Sequence, residues 1–412
     1  MSLFYQLGIR FYFLVAQIAA LFNEKARLFT NGQKVIFETI EKRLNRQQPV
    51  IWIHCASLGE FEQGRPLIEK IKQQYPNYQV VLTFYSPSGY EIRKNYKLAD
   101  CICYLPADTP KKARRFIDLI HPEKAFFIKY EYWYNYFRIL KQKDIPIYMV
   151  SAIFRENQLF FSKGFRGQWY RKILQNVEHF FVQNDQSGLL LSQIGLNNFT
   201  VNGDTRFDRV AEIASNSKDL PRIEQFKAGQ RLIVAGSSWP PDEGLLIDFL
   251  KQNTDVKIIF APHEVNENNI LRLQKQIPME AAIYSLTEGQ DLSYYRVLII
   301  DRIGILSSIY GYADIAYVGG GFGVGIHNTL EAAIYKIPVV FGPNYQKFQE
   351  ARGLEDSGVA FPIENSAVLN NTLNRLLEEE KTRRDIATKC EKFMAKNLGA
   401  TQQVLTKVFN IS

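Results

Sequence analysis

At 412 residues the chain is too long for one ordinary domain and predicts two of similar size, with 46% hydrophobic residues to fill their cores. The net charge of +8 is uneven, since the first 209 residues carry 29 basic and 18 acidic side chains and the rest carry 21 and 24. Such a basic first half predicts an anionic partner: nucleic acid, an acidic membrane or a phosphorylated substrate. Four cysteines without a CxxC pair and five histidines without HExxH argue against a metal site and indicate a reducing compartment.

The first segment, residues 3–22, is apolar and aromatic and is interrupted by Gln6, Arg10 and Gln17. Its length would just span a bilayer, but Arg10 disfavours a spanning helix, and no signal-peptide cleavage site follows. We therefore predict a helix embedded in the membrane or lying on it. The alternative is a soluble helix packed on its own domain.

An apolar run at residues 50–54 predicts a buried strand, and CASLGEFEQG follows it as a loop and the start of a helix. Ser57 and Glu60 have the spacing of a capping box. Glu60 therefore has two interpretations. It is either a cap that stabilises the helix or a carboxylate beside a glycine loop that a substrate hydroxyl can reach.

Further apolar runs predict strands at 80–85, 101–105, 125–128, 147–150 and 180–183. Helical patterns between them indicate βαβ units and a parallel sheet. Aromatic side chains are dense from Phe126 to Tyr170, and cations such as Arg155 lie among them. Most of these aromatic side chains can be ordinary core, but mixed with cations they also suit a lipid headgroup surface. The same mixture would also suit single-stranded nucleic acid, but no RNA-binding motif accompanies it.

The polar stretch 215–225 predicts a linker between a first α/β domain, 23–214, and a second, 226–412, whose last helices can pack back on the first. The second domain has strand patterns of the same kind at 232–236, 257–261, 297–300, 315–318 and 338–341. Both domains are thus predicted to be α/β with parallel sheets.

The stretch from 313 to 343, ADIAYVGGGFGVGIHNTLEAAIYKIPVVFGP, is the most specific in the chain. A short strand breaks into a loop with five glycines, which lets backbone approach a ligand closely. Asn328 and Glu331 have capping-box spacing and predict a helix whose N-terminus suits an anion. Glu331 either caps this helix or binds the hydroxyls of a ribose. The loop lacks the dinucleotide fingerprint and the GK[ST] ending of a P-loop.

Several motifs resemble, in chain order, those of the 3-deoxy-D-manno-octulosonic acid (Kdo) transferases, which move Kdo from CMP-Kdo to the lipid A precursor. They are HCASLGE, KYEYWYN, GDTRFD, and GGGFGVGIHNTLEAA with PVVFGPNYQKFQEA. The resemblance covers nearly the whole chain. It implies a GT-B architecture of two doubly wound Rossmann-like domains facing a cleft, with the acceptor on the first and CMP-Kdo on the second. It also implies a location at the cytoplasmic face of the bacterial inner membrane.

The resemblance assigns roles to single residues. Glu60 is expected to be the general base, and Glu131 and Arg206 to stabilise the transition state. Donor contacts are expected from Pro262, His263, Ile303, Gly304, Ile305, Asn328, Thr329, Leu330 and Glu331, near a loop containing Gly320, Gly321 and His327. Ser57, Gly59 and Arg155 are expected on the acceptor side. Arg206 stands where the family usually has lysine, and Ser237-Ser-Trp stands where many members have Ser-Thr-His.

The implied reaction is an inverting displacement without a metal or other cofactor, and no DxD motif is present. The expected partners are CMP-Kdo, the lipid A precursor and an anionic membrane surface, but not nucleic acid. One alternative is another GT-B enzyme, such as a nucleotide-sugar transferase or a UDP-sugar 2-epimerase. A second is a membrane-attached nucleotide-binding module without catalysis. Comparing the binding of CMP and UDP tests the first alternative, and changing Glu60 tests the second.

Overall fold

The computed structural model describes residues 2–409 and contains two α/β units. The first unit comprises the chain up to Arg209 together with the residues from Asn397 onward, and the second comprises Val210–Lys396. The division therefore falls before the predicted linker at 215–225. Much of that stretch is helical, because Pro221 at the first helical position is preorganised to start a helix over Pro221–Lys227.

A seven-stranded parallel sheet forms the centre of the first unit. Its strands are β1 (Val50–Cys55), β2 (Gln79–Phe84), β3 (Cys101–Tyr104), β4 (Pro122–Ile128), β5 (Ile147–Ala152), β6 (His179–Val182) and β7 (Phe199–Val201). They lie in the order β3-β2-β1-β4-β5-β6-β7, so the winding reverses between β1 and β4. Ligands of such sheets bind beyond the carboxyl ends of the strands at this switch point.

The helices of the first unit up to the boundary are α1 (Ser2–Ala19), α2 (Glu24–Arg43), α3 (Leu58–Gln74), α4 (Pro87–Arg93), α5 (Pro110–Ile120), α6 (Tyr134–Gln142), α7 (Phe165–Leu174), α8 (Asp185–Gln193) and α9 (Arg206–Ser215), the last of which crosses the boundary between the units. Alternate residues of a strand point to opposite faces, so β1 feeds two apolar cores. Trp52 packs in one core, and Ile51 and Ile53 pack in the other. Both faces of the sheet are therefore covered, as a parallel sheet requires.

The second unit repeats the plan with β8 (Arg231–Ser238), β9 (Val256–Pro262), β10 (Ala281–Ile283), β11 (Val297–Ile299), β12 (Ile315–Val318), β13 (Val339–Phe341) and β14 (Ala360–Pro362). The order is β10-β11-β9-β8-β12-β13-β14, all parallel, and the winding reverses between β8 and β12. Two doubly wound parallel sheets confirm the predicted α/β class. The three-residue strands β7, β10 and β14 were not predicted.

The remaining helices are α10 (Pro221–Lys227), α11 (Pro240–Gln252), α12 (Glu267–Gln276), α13 (Leu306–Tyr310), α14 (Leu330–Ala333), α15 (Gln349–Asp356), α16 (Ser366–Glu378), α17 (Glu380–Asn397) and α18 (Ala400–Phe409). Helix α18 returns to the first unit, where Val404 and Leu405 pack in the same core as Phe61 of α3.

The N-terminal segment forms two helices rather than one. Helix α1 ends at Ala19, before the predicted end at residue 22, and α2 begins after Asn23, whose side chain accepts a hydrogen bond from the Ala26 N–H. Across residues 2–409 no single helix is long and apolar enough to cross a membrane. Helices α1 and α2, bent by 120°, meet that criterion only as a pair. The attachment to a membrane stays a prediction.

Candidate active site and donor loop

The first group of predicted site residues follows the carboxyl ends of β1 and β4, the two strands at the switch point of the first sheet. Strand β1 leads through Ala56 into α3, which carries Glu60 in its first turn. Strand β4 leads through Lys129 to Glu131. Lys129 has a φ of 68°, in the left-handed region that few residues other than glycine adopt. Such conformations concentrate at functional sites.

The carboxylate of Glu60 accepts a hydrogen bond from the Ala56 N–H, at the end of β1. The side chain of Ser57 makes no capping hydrogen bond. The predicted reciprocal capping box is therefore wrong, because only Glu60 acts on the backbone ahead of the helix. Gly59 lies in the first turn beside it, where a side chain would meet no neighbour closer than the Ser57 hydroxyl at 4.0 Å.

Burial is the largest cause of an unusual pKa at Glu60, whose residue surface is only 8% exposed. The negative charge of Glu131 adds to it, and the Ala56 N–H and the ammonium of Lys129 act in the opposite direction. The net effect raises the pKa of Glu60 to about 8. Neighbouring carboxyl groups with different surroundings can divide proton-binding and charge-stabilising roles in this way.

Glu131 is held in place by two ring nitrogens. The Trp133 Nε1–H donates to Glu131 Oε2 at 2.9 Å, and His54 Nε2 lies 3.3 Å from the same oxygen. His54 is fully buried at the end of β1, and its Nδ1 lies 2.9 Å from Thr83 Oγ1. His54 and Trp133 were not among the predicted site residues. His54 lies in the motif HCASLGE and Trp133 in KYEYWYN, but the motifs alone do not show that these two side chains contact Glu131.

Cations gather around Tyr130, between Lys129 and Glu131. Arg155 donates from Nη2 to the Tyr130 hydroxyl at 3.3 Å, and the ammonium of Lys129 lies 5.1 Å from the centre of the ring. Burial raises the pKa of Tyr130, and the charges of Arg155, Glu60 and Arg206 also act on it. The structure thus brings predicted acceptor-side and catalytic residues to one place.

Arg206 begins α9 and is paired with a buried carboxylate. Its Nε and Nη2 lie 3.0 and 2.8 Å from Asp204 Oδ2. Burial opposes ionisation of Asp204, but the charge and hydrogen bonds of Arg206 outweigh it and lower the pKa of that carboxyl. Asp204 also accepts from Gln63 Nε2 at 2.8 Å, which ties the pair to α3 almost one turn beyond Glu60. The charge of Arg206 is therefore partly compensated.

The glycine loop after β12 begins at the switch point of the second sheet. A Cβ at Gly319 would lie 2.3 Å from the Ser237 carbonyl oxygen, and one at Gly321 would lie 2.5 Å from the Cα of Gly342. Gly320 and Gly325 have φ values of 92° and 132°, which favour glycine. These glycines are thus required by the fold itself, because a strand that turns sharply into a loop and a short helix has no room for side chains there.

A stack of three rings joins this loop to the ends of β8 and β9. The ring of His263 lies 4.7 Å from that of Trp239 and 4.3 Å from that of His327, centre to centre. Burial, and then the charge of His263, lower the pKa of His327 to about 4. His327 is therefore neutral at physiological pH and can accept the hydrogen bond that Trp239 Nε1 donates to its Nε2 at 3.2 Å. Pro262 ends β9 immediately before the stack.

Asp242 fixes the start of the glycine loop. Its carboxylate accepts from the Gly320 N–H at 2.9 Å, the Trp239 N–H at 3.0 Å and the Tyr317 hydroxyl at 2.8 Å. Asp242 is fully buried in the first turn of α11. It was not predicted as a site residue.

The predicted capping box at Asn328 and Glu331 is wrong. Helix α14 is only four residues long, and Thr329 is at its N-cap without a side-chain hydrogen bond. The side-chain Oδ1 of Asn328 accepts from the Leu330 N–H at 3.2 Å, and its Nδ2 donates to Glu331 Oε1 at 3.0 Å. A single turn does not provide the anion-binding helix end that the sequence analysis expected. Thr329 and Leu330 are fully buried, so they support the loop from beneath.

The other predicted donor residues, Ile303, Gly304 and Ile305, form the turn that leads into α13. Ile303 is 84% exposed, and Gly304 has a φ of 91°. Helix α13 packs beside α14, which carries Glu331. Across residues 2–409 no group of three or more His, Cys, Asp or Glu side chains is placed to hold a metal ion.

Comparison with known proteins identifies relatives along most of the chain. Residues 32–209, which include all the catalytic candidates, match the family model described as 3-deoxy-D-manno-octulosonic-acid transferase (kdotransferase). The 3-deoxy-D-manno-octulosonic acid transferase of Chlamydia trachomatis serovar D is 25% identical over 386 residues, which cover 91% of this chain and 89% of the relative. That of Aquifex aeolicus is 26% identical over 350 residues, covering 83% and 90%.

Solved structures share the arrangement along most of the chain. The UDP-GlcNAc 2-epimerase of Neisseria meningitidis, bound to UDP-GlcNAc, gives a TM-score of 0.61 at 13% identity and covers 88% of this chain and 100% of its own. Acinetobacter baumannii MurG gives 0.54 at 14% identity, with coverage of 88% and 100%. At these identities the likeness concerns the fold alone, and it confirms the GT-B class.

Proposed function

We propose that the chain belongs to the Kdo transferase family and that it is a glycosyltransferase that moves Kdo from CMP-Kdo to a lipid A precursor of the lipid IVA type in lipopolysaccharide biosynthesis. The observation that carries this proposal lies within the matched segment. Glu60 and Glu131 follow neighbouring strands at the switch point, and burial together with the charge of Glu131 raises the pKa of Glu60 to about 8. This arrangement suits proton abstraction from a sugar hydroxyl.

In the proposed reaction, an acceptor hydroxyl oxygen forms a bond to the anomeric carbon of Kdo while the bond to the CMP phosphate breaks. The hydroxyl proton goes to Glu60, whose raised pKa gives it more proton affinity than an ordinary carboxylate. Glu131, oriented by Trp133 and His54, supplies negative charge beside the sugar as positive charge develops on it. Direct displacement of this kind inverts the anomeric centre.

We assign donor binding to the second unit. Pro262, His263, the turn at 303–305 and the glycine loop would hold CMP, and Glu331 would accept hydrogen bonds from the ribose hydroxyls. The leaving phosphate takes the electron pair, and cations such as Arg206 would stabilise its charge without a metal ion. Transfer that continues at the normal rate in EDTA would support this assignment, and a loss restored by magnesium would contradict it.

We also propose that α1 attaches the protein to the cytoplasmic face of the inner membrane. Large apolar side chains at helical spacing form an exposed stripe on α1: Leu3, Leu7, Phe11, Leu14 and Ile18. A helix that turns such a face away from its own domain suits an interfacial position in a bilayer. The positive charge of the first half would add attraction to anionic lipid.

One experiment tests the function directly. The purified protein is incubated with CMP-Kdo and a tetraacylated lipid A precursor, and the product mass is measured. We expect the mass of the acceptor to increase by one or more Kdo units. UDP-GlcNAc serves as the alternative donor, and a Glu60→Gln variant serves as the inactive control. Turnover of UDP-GlcNAc without transfer from CMP-Kdo would contradict the proposal and favour another GT-B activity.

A further inference from the structure

A groove of about 420 Å³ lies between the N-terminal helices and the loop after β2, within the first unit. Helix α1 contributes Tyr12, Val15, Ala16 and Ala19 to its lining, α2 contributes Lys25, Ala26 and Phe29, and the loop contributes Tyr85, Ser86 and Pro87. Only Lys25 among these residues is charged. The volume is within the usual range for ligand pockets, but the lining offers few partners to a nucleotide or a sugar. A hydrocarbon chain fits this chemistry.

The groove is close to the catalytic carboxylates through the backbone. The N–H groups of Tyr85 and Ser86 donate to the Ala56 carbonyl oxygen at 3.2 and 2.7 Å. The N–H of the same Ala56 donates to the carboxylate of Glu60. One residue therefore separates the wall of the groove from the proposed general base.

The groove is also close to Glu131 through aromatic contacts. The Tyr85 ring lies 5.0 Å from that of Trp133, whose indole N–H donates to Glu131. On its other side, Tyr85 is stacked on Tyr12 at 6.1 Å. Tyr12 and Val15 are each 45% exposed, and they continue the apolar surface of α1. The wall of the groove thus connects the exposed apolar face of α1 with the residue that orients Glu131.

We propose that this groove binds an acyl chain of the lipid acceptor and thereby positions the acceptor sugar hydroxyl beside Glu60. The inference rests on the proposed function and adds a specificity site to it. A chain lying in the groove would have one end beside the carboxylates and the other beside the apolar face of α1. The occupant is a chain of the acceptor rather than of a bulk phospholipid, because the wall of the groove is joined through Ala56 and Trp133 to the proposed catalytic residues.

The test fills the groove from each side with Ala19→Trp and Ala26→Trp. The matched control is Gln17→Trp, which adds the same ring to an exposed position of α1 outside the lining. The assay uses detergent-dispersed tetraacylated precursor and the same disaccharide with its acyl chains removed. Both groove variants are expected to raise KM for the tetraacylated acceptor by about tenfold or more, since each buried methylene is worth about fourfold in affinity. Their KM for the deacylated acceptor and their kcat at saturation should equal the wild-type values. The Gln17→Trp control should equal wild type in KM and kcat with both acceptors.

A second measurement needs no variant. With wild-type protein and acceptors of increasing acyl length, KM should fall by about fourfold per methylene until the groove is full. An unchanged KM in both Trp variants, or a length-independent KM in wild type, would overturn the proposal. Reduced binding to phospholipid vesicles with an unchanged KM would also overturn it and identify a membrane anchor instead. If wild type is active and the Trp variants are unaffected, only the role of the groove is refuted. If wild type is inactive with both acceptors, the proposed function is refuted as well.

Discussion

Glu60 and Glu131 follow two adjacent strands of the first sheet, and the charge of Glu131, second only to burial, raises the pKa of Glu60. Their separation in the sequence is large, and the parallel pairing of β1 with β4 brings them together. Ile53 on β1 is paired with Phe126 on β4, so both strands end at the same edge of the sheet. The unusual proton affinity of Glu60 is thus a consequence of topology.

Replacing Glu60 with glutamine is expected to lower the rate of transfer by about 10²- to 10⁴-fold, the usual contribution of a general base. Glutamine keeps the shape and can still accept the Ala56 N–H. In wild type, kcat/KM should rise with pH up to about 8, because the carboxylate must be unprotonated to act. The control is Glu62→Gln on the same helix, whose carboxylate pairs with Arg93 at 2.9 Å. A Glu60→Gln variant that transfers at the normal rate would leave Glu60 with a structural role only.

The same variant should change the pH dependence of stability. The folded pKa of Glu60, about 8, is above its ordinary value of 4.5, so the folded state retains this proton over that range. Its contribution to stability is therefore complete at low pH and is lost as pH rises toward 8. Between pH 5 and pH 9, the free energy of unfolding of wild type should therefore fall by on the order of 2–4 kcal/mol more than that of Glu60→Gln. Urea titrations at pH 5 and pH 9 give both free energies of unfolding, and an equal change with pH in the two proteins would refute this.

The main strands could be predicted from the sequence because buried parallel strands are nearly continuous apolar runs. Strand β12 spans the predicted residues 315–318, where the run ends at Gly319. The capping boxes at residues 57–60 and 328–331 were wrong for a different reason. The spacing of residues shows which side chains can reach the start of a helix, but it does not show which backbone N–H group each side chain binds.

The site was predictable only where function depends on a short motif. Glu60 and Glu131 lie in such motifs. His54 and Trp133, which orient Glu131, lie in the same two motifs, HCASLGE and KYEYWYN, but neither motif shows which side chains meet. His54 meets Glu131 across 77 residues, and Asp242 meets Gly320 across 78. These contacts depend on the strand order of each sheet, which one sequence does not specify residue by residue.

Arg206→Ala should reduce both stability and turnover, because it leaves the buried carboxylate of Asp204 without its cation. Breaking such a pair costs about 3–5 kcal/mol when both partners are buried. Because Arg206 is partly exposed, we expect the free energy of unfolding to fall by roughly 2–4 kcal/mol. The double variant Arg206→Ala, Asp204→Asn separates the two roles. Its unfolding midpoint should recover, while kcat stays low if Arg206 acts on the leaving phosphate. Recovery of both would show that Arg206 only neutralises Asp204.

Glu331→Ala is expected to weaken CMP-Kdo binding by about 10- to 100-fold, the usual effect of losing hydrogen bonds to a charged group. Acceptor KM should not change. Little stability should be lost, because Asn328 rather than Glu331 accepts the Leu330 N–H at the start of α14. The control is Glu364→Ala at an exposed position of the same unit. Calorimetry showing unchanged donor affinity would leave Glu331 with a structural role, such as its hydrogen bond with Asn328.

The proposed membrane attachment through α1 can be tested by substituting its exposed apolar residues. Deleting the segment would remove contacts of the first unit, since the Tyr5 hydroxyl donates to Asp108 at 2.6 Å and the Phe13 ring lies 5.5 Å from that of Phe29. Loss of binding after deletion would therefore not be separable from unfolding. A surface variant avoids this difficulty. It carries glutamine at Leu3, Leu7, Phe11 and Leu14, each at least 51% exposed.

This surface variant should melt at the wild-type temperature and move to the soluble fraction, because it loses the apolar stripe but keeps the inward contacts of α1. Turnover of a detergent-dispersed acceptor should persist. Basic side chains of the first half would leave residual binding to anionic vesicles, about 1 kcal/mol for each well-placed Lys or Arg, and salt should abolish it. The matched control changes Gln17 to serine on the same helix. A surface variant still bound to membranes at high salt would place the main anchor elsewhere in the first unit, for which Phe165, 69% exposed on α7, is the first position to change.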